Sequence, residues 1–310
     1  MKILCVTPNV SVDRTLTVPG FAAGAVWRAA SVTATCGGKG VNVARAVASL
    51  GHRAVCTGLL AGHSGRLAAG SAKAESLDAA WTWIDGETRT CVIVVGDAGE
   101  ATVINEPGTA VSDGDWVRFV ADVAVAAEGA DTVCIAGSLP PGCPPGGLAR
   151  LVATAGAAAA RPVWVDTSGP VLAEAVAVGA AIKINAPEAA ALLGRAVATV
   201  ADALDAAIEI RGRGAGVTAI TLGGDGAVLV TGDGAWRARP PAIAVVSAVG
   251  SGDCFLAGLA AGLAEARRPE EALRLAVAAG TANALRTSAG SLDSGDLGRI
   301  LRATDTGRLR

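Results

Sequence analysis

Gly250-Ser251-Gly252-Asp253 is the stretch best suited to chemistry. It follows a short extended segment, residues 240–245, and precedes the small apolar run 256–264, which has helical character. Glycines let the backbone turn tightly and keep side chains clear of an incoming group. The first amides of a helix have no intrahelical partner, and the helix dipole adds positive potential there. A loop that turns into a helix at Gly250, Ser251 and Gly252 therefore makes a cradle for an anion such as a phosphoryl group. Asp253 stands beside it. A carboxylate there can take a proton from a hydroxyl while amides hold the charge developing on a transferred phosphate. An ordinary first-turn acid is the plain alternative, and these residues alone do not separate the two.

A second glycine-rich turn, Gly37-Gly38-Lys39-Gly40, opens an amphipathic helix with Val43, Ala46, Val47 and Leu50 on one face and Gly51 as its C-cap. Its glycines permit close approach of a ligand, toward which Lys39 and Asn42 can point. It is not a Walker A loop, because Lys39 is followed by Gly, and its spacing is not that of a dinucleotide fingerprint. Asp13 lies just past the first strand, at the sheet edge where ligands collect in open α/β folds. Taken alone it reads better as a turn acid.

The elements that must position these residues alternate along the chain. Residues 2–6 form a buried strand. Stretches near 13–18, 25–36, 82–95 and 101–105 alternate apolar and polar residues as half-wet strands do, with a hairpin turn at Gly96-Asp97-Ala98-Gly99. Residues 61–80 are ambiguous, with a short helix as one option. Strands at 132–136, 162–166, 181–184 and 217–222 are separated by helical stretches, including one that runs from Pro144 to residue 160. This spacing predicts right-handed βαβ units, a mostly parallel sheet and helices on both faces. A helix over 270–285 follows, and residues 294–310 read as a final surface helix.

Composition agrees. The 310 residues are 51% hydrophobic and carry a formal charge of −2, with no basic block to attract nucleic acid. No apolar run has the length and flanks of a membrane-spanning helix, and the first residues lack a signal-peptide pattern, so a cytoplasmic location is expected. Seven cysteines, none in CxxC spacing, read as buried free thiols, and the two histidines, His52 and His63, have no metal-ligand spacing.

The chain resembles the ribokinase-like (PfkB) carbohydrate kinase family, within it the hexose-phosphate branch. Residues 9–13, 37–51, Gly86-Glu87-Thr88-Arg89, Asn105-Glu106-Pro107-Gly108, residues 137–142 and Gly250-Ser251-Gly252-Asp253 carry the resemblance, in an order that spans essentially the whole chain. It implies a single ribokinase-like α/β domain over 1–310. It also implies a small β-sheet lid, drawn from about 13–35 and 82–105, that covers the sugar and joins two subunits into a homodimer. Asp253 would be the base, beside a cradle built on Gly250, Ser251 and Gly252 in which the amides of Ser251, Gly252 and Asp253 hold the moving phosphoryl. Asp13, Gly38 and Asn42 would meet the sugar hydroxyls, Lys39 and Arg89 its existing phosphate, and Gly37 and Ser138 would also belong to the substrate site. A guanidinium suits that task because it offers a planar fork of donors. Lys183, Asn185, Thr221, Gly223, Gly224 and Gly226 would hold ATP, with Asn283 lining the adenine pocket. Asn185 and Glu188 match an NxxE element that acts on Mg2+ through water, in keeping with the waters magnesium retains. The implied reaction is phosphorylation of fructose 1-phosphate to fructose 1,6-bisphosphate, with tagatose 6-phosphate and fructose 6-phosphate as rival substrates. A catalytically silent sugar-phosphate sensor is a different class, which the intact Asp253, Asn185 and Glu188 disfavour. The chain departs from the pattern at Ile184, usually Pro, at Trp27, often Asn and expected near the sugar, and at Ala248, commonly Thr.

Overall fold

The computed structural model describes residues 1–96, 101–160 and 162–310. The first apolar run forms β1 (Lys2–Thr7), followed by β2 (Ser11–Thr17), which contains Asp13. β3 (Ser31–Gly37) is shorter than the expected 25–36 segment, because Pro19, Gly20 and Gly24 turn the chain between the two strands, with φ of 71° and 87° at the glycines. α1 (Lys39–Ser49) starts on Gly38, whose φ of 111° favours glycine and where a Cβ would strike Thr7 Cγ2 at 2.6 Å. β4 (Arg53–Ala61) then runs parallel to β1.

The ambiguous residues 61–80 resolve into α2 (Gly62–Ala74) and the start of β5 (Asp78–Ile84). The alternating stretch 82–95 is therefore two strands rather than one. Asp85-Gly86-Glu87-Thr88 interrupts it, Gly86 has φ of 113°, and Glu87 turns back to accept from the His63 and Ser64 amides that open α2. β5 joins β4 in the main sheet, whereas β6 (Arg89–Val95) leaves for a second sheet and pairs with β7 (Ala101–Asn105). The expected hairpin turn falls on residues 97–99, outside the described residues.

The rest of the chain alternates as the spacing predicts. α3 (Asp113–Ala127), β8 (Thr132–Ala136), α4 (Gly147–Ala158), β9 (Val163–Asp166) and α5 (Leu172–Ala177) come first. β10 (Ala181–Asn185), α6 (Ala186–Leu193), α7 (Val200–Gly212), β11 (Val217–Thr221), β12 (Ala227–Thr231) and β13 (Gly234–Arg239) follow. α8 (Ser251–Ala264), α9 (Pro269–Asn283), α10 (Ser294–Ala303) and β14 (Asp305–Arg308) complete it. The final stretch is thus not helical throughout. Residues 305–308 pair antiparallel with β13 and satisfy backbone groups that the sheet edge would otherwise leave open.

The main sheet has ten strands in the order β14-β13-β12-β11-β10-β9-β8-β1-β4-β5, parallel from β11 to β5 and antiparallel at β12, β13 and β14. Side chains alternate across it. Leu4, Val6, Val133 and Ile135 face a core shared with α3 to α7, while Ile3, Cys5, Cys134 and Ala136 face one shared with α1, α8 and α9. In the second core Cys56, Cys5 and Cys134 stand in register across β4, β1 and β8, all fully buried. The Gly- and Ala-rich helices let α8 and α9 approach closely: a Cβ on Gly258 or Gly262 would meet Ala276 Cα or Ala272 Cα at 2.9 Å. A four-stranded sheet, β3-β2-β6-β7, stands beside the C-terminal edge of β1 and forms the lid, with a small core of its own around Val10, Val12, Val41 and Leu60. Its outermost strands carry exposed Val32, Val103 and Ile104. Among the described residues no helix is long and apolar enough to cross a membrane.

Candidate active site

The C-terminal ends of β1, β9, β10 and β11, the first turn of α8 and the root of the lid converge on one cleft, at the edge where open parallel sheets bind ligands. Asp253 lies in the first turn of α8, 6% exposed, and its Oδ2 accepts from Asn42 Nδ2 at 2.9 Å. Burial and then repulsion from Asp166 push its carboxyl up to about 6, against the pull of Lys183, Asn42 and Lys39. A carboxylate so raised is a better base near neutral pH than an ordinary aspartate.

Gly250 precedes the helix with φ of 83°, and a Cβ there would meet the Ala289 Cβ at 2.7 Å and the Gly290 amide at 2.9 Å. The cradle is narrower than the sequence implies. Ser251 N donates to Ala248 O at 3.2 Å and Asp253 N to Gly250 O at 3.0 Å, so those two amides are engaged within the turn. Among the described residues the amides of Gly250 and Gly252 have no backbone partner, and they are the ones left to meet an anion.

Asp166 is the residue that sequence reasoning missed. At the end of β9 and fully buried, it accepts from Lys39 Nζ through one oxygen and from Lys183 Nζ through the other, each at 2.6 Å. Burial alone would raise its pKa, but the two ammonium groups outweigh that and hold the carboxyl below its ordinary range. Lys183 reaches over the cradle, so that a Cβ on Gly252 would lie 2.7 Å from its Nζ. Lys39, expected beside the sugar phosphate, is instead tied to Asp166, with Glu188 Oε1 at 3.7 Å, and Asp166 more than offsets its burial and raises its pKa. The only sequence signal for Asp166 was an acid at the C-terminal end of a parallel strand.

On one side of this cluster opens a cleft of about 1030 Å³. Lys183, Asn185, Thr221, Gly223, Gly224 and Gly226 line it, together with Ser251 and Gly252, and Ala248 lies on its wall. Its far part is apolar, walled by Ile243, Val245, Phe255 and Val277. Asn185 and Glu188 form a reciprocal cap at the start of α6: Asn185 Oδ1 accepts from Glu188 N at 2.9 Å, and Glu188 Oε2 accepts from Asn185 N at 2.8 Å. Asn283 does not line the cleft as expected. It is fully buried at the end of α9, with its amide spent on protein groups.

On the other side, at the root of the lid, Asp13 Oδ1 accepts from Ser11 Oγ at 2.7 Å, and the carboxylate packs on Gly37, where a Cβ would collide with it. Burial raises the Asp13 pKa. Asn9 Nδ2 donates to Ser138 Oγ at 3.2 Å and to Pro107 O at 3.0 Å. Arg89 donates to Asn9 O through Nε and Nη2, and to Glu106 O through Nη1. Arg89 and Ser138 are thereby joined through one asparagine, with further guanidinium N–H groups to spare. Trp27 is not at this end. β2 and β3 pair Ser11 with Gly37 and Thr17 with Ser31, so residue 27 belongs to the opposite tip, where its indole donates to Ala22 O at 2.8 Å.

The profile described as pfkB family carbohydrate kinase matches residues 1–294. The chain is 40% identical over 262 residues to a 1-phosphofructokinase of Rhodobacter capsulatus, covering 84% of this chain and 83% of that one. It is 35% identical over 276 residues to a 1-phosphofructokinase of Haloferax volcanii, covering 89% and 88%. Among solved structures, phosphofructokinase-2 of Escherichia coli in complex with fructose-6-phosphate matches with a TM-score of 0.89 at 30% identity, over 97% of this chain and 98% of that one. With a family match over nearly its full length and a ribokinase-type sheet and lid, the chain belongs to the pfkB family of carbohydrate kinases and is a phosphotransferase acting on a sugar hydroxyl.

Proposed function

We propose that the protein is an ATP-dependent kinase that converts fructose 1-phosphate to fructose 1,6-bisphosphate in the cytoplasm. The single observation that carries this reading is the setting of Asp253. A buried carboxyl with a raised pKa stands between the nucleotide-sized cleft and the lid, beside free glycine amides and a lysine. Asp253 takes the proton of the attacking hydroxyl, and Asn42 orients the carboxylate through its hydrogen bond. The amides of Gly250 and Gly252, with Lys183 and Lys39, hold the charge of the moving phosphoryl. Asp166 holds both lysines in place through its two ion pairs. Asp13, Gly37 and Gly38 meet the sugar, while Arg89 and Ser138 meet the phosphate it already carries. Most of the acceleration comes from holding the two substrates in line.

Mg2+ fits the residues present. Asn185 on the cleft wall and Glu188 beside it in the first turn of α6 offer hard oxygens, as suits an ion held mainly by phosphates and water. When bound with ATP it neutralises phosphate charge. Two copies of the chain pair through the exposed Val32, Val103 and Ile104 of the lid.

The names of the relatives favour fructose 1-phosphate, whereas the match to phosphofructokinase-2 supports fructose 6-phosphate as the second reading. A coupled ADP-release assay across fructose 1-phosphate, fructose 6-phosphate, tagatose 6-phosphate and fructose tests them. The highest kcat/KM is expected for fructose 1-phosphate. A preference for fructose 6-phosphate reassigns the substrate, and no ADP release with any of them sinks the kinase reading.

A further inference from the structure

We infer that Asn283 is a positioning residue that fixes the phosphoryl cradle from behind, an inference that rests on the kinase reading above. Asn283 is the last residue of α9 and is fully buried, so it meets no ligand in the cleft. A carboxamide has two N–H donors and a carbonyl oxygen with two lone pairs. Its Nδ2 donates to Val249 O at 2.8 Å and lies 3.4 Å from Ser251 Oγ, which it also serves. Its Oδ1 accepts from Gly290 N at 2.9 Å and from Cys254 Sγ at 3.4 Å. One side chain thereby joins the loop before α8, the first turn of α8 and the segment after α9.

The bond to Val249 O bears directly on the cradle. The peptide joining Val249 to Gly250 is planar, with carbonyl and amide on opposite sides. Pulling the Val249 carbonyl back toward Asn283 turns the Gly250 N–H the other way, and that amide has no backbone partner among the described residues. The cradle is also wedged by backbone. A Cβ on Gly280 would meet Ser251 O at 2.9 Å, and one on Gly250 would meet Ala289 and Gly290. Gly290 in turn packs so closely on α1 that a Cβ would meet Asn42 O at 2.7 Å. Asn42 is the residue bonded to Asp253, so the path from Asn283 through Gly290 ends at the base itself. Removing the carboxamide leaves the Val249 carbonyl and the Gly290 amide without their partner. The amide that meets the phosphoryl and the carboxylate that takes the hydroxyl proton then lose their fixed separation.

The test uses Asn283→Ala and Asn283→Ser, with Leu273→Ala as a packing control on the same helix. Leu273 is fully buried in the α8–α9 core. Steady-state kinetics by ADP release, adenosine affinity by calorimetry and melting temperature are measured for each. Both Asn283 variants are expected to lose about 10- to 100-fold in kcat, with KM for sugar phosphate and for ATP within about 3-fold and adenosine affinity unchanged. The smaller loss belongs to the Ser variant, whose hydroxyl retains a donor and keeps the protein folded should the Ala variant fail to fold. Leu273→Ala lowers the melting temperature and keeps kcat. An Asn283 variant with wild-type kcat overturns the inference, and so does weakened adenosine binding with kcat preserved, which would make Asn283 an adenine contact. Inactivity of the wild-type protein on every sugar phosphate would sink the kinase reading instead, so the two failures are separable.

Discussion

Replacing Asp253 by Asn removes the base and, by the same stroke, a buried charge. The folded carboxyl titrates at about 6 against an ordinary value of 3.8, a difference worth about 3 kcal/mol at 1.36 kcal/mol per pH unit. The sign follows from the raised value. Below pH about 4 the carboxyl is protonated in folded and unfolded chains alike, and it costs nothing. Between pH about 4 and about 6 the unfolded chain ionises while the folded protein keeps the proton, because burial and Asp166 oppose the charge, so stability is lost across that window and the full cost is in place once the pH has passed about 6. An asparagine keeps the shape, can turn its carbonyl to Asn42 Nδ2, and never ionises. Unfolding entropy near 2.1 cal/mol/K per residue over 310 residues converts about 3 kcal/mol into a rise of roughly 4–5 °C in melting temperature. The assay is paired: melting temperature of both proteins from pH 4 to pH 8, and turnover by ADP release. Asp253→Asn should lose kcat by about 10²- to 10⁴-fold, melt higher than wild type at pH 8, keep about half of that difference at pH 5, and converge with wild type toward pH 4. Wild-type kcat/KM should fall below pH about 6 with the loss of one proton's worth of base. Undiminished turnover would refute the assigned base, and a variant that melts lower than wild type at pH 8 would refute the buried-charge reasoning.

Three further outcomes are expected. Asp166→Asn deprives two lysines of their common partner and should cost about 3–5 kcal/mol, read as a lower melting temperature, while the acid limb of kcat/KM moves to lower pH because Asp166 no longer repels Asp253. Arg89→Ala should raise KM for the sugar phosphate about 10- to 100-fold with a small change in kcat, and an unchanged KM in the same assay would remove Arg89 from the phosphate site. Ile104→Glu, at an exposed position on the outermost lid strand, should yield a monomer in light scattering at concentrations where the parent is a dimer.

Motifs whose chemistry is local were legible in the sequence. The anion turn, Gly250 to Asp253, needs only two glycines and an acid at a helix start, and the chain forms that turn there. Six nucleotide-side residues came from the family resemblance; they lie at or just after strand ends, which a βαβ pattern locates well, and they share one cleft. What depends on distant partners was not legible. Asp166 matters because two lysines from elsewhere in the chain converge on it. Asn283 looked like a pocket residue, but its partners lie in loops whose packing no periodicity reveals. The stretch 82–95 reads as one alternating strand, yet Gly86 and Glu87 divide it between two sheets, because the Glu87 side chain is drawn to α2. The last strand was hidden in a short polar tail whose only reason to extend is the open edge of β13.

The row of thiols across β4, β1 and β8 has a practical consequence. Six of the seven cysteines are buried and Cys143 alone is half-buried, so a thiol-reactive dye should label one site in the native protein. Cys36 and Cys91 belong to the lid strands, whereas Cys5, Cys56, Cys134 and Cys254 become reactive only when the main sheet and its covering helices part. Dye uptake beyond the third equivalent therefore serves as a built-in clock for global opening, with no engineered probe, and a substrate that tightens the closed form should slow it.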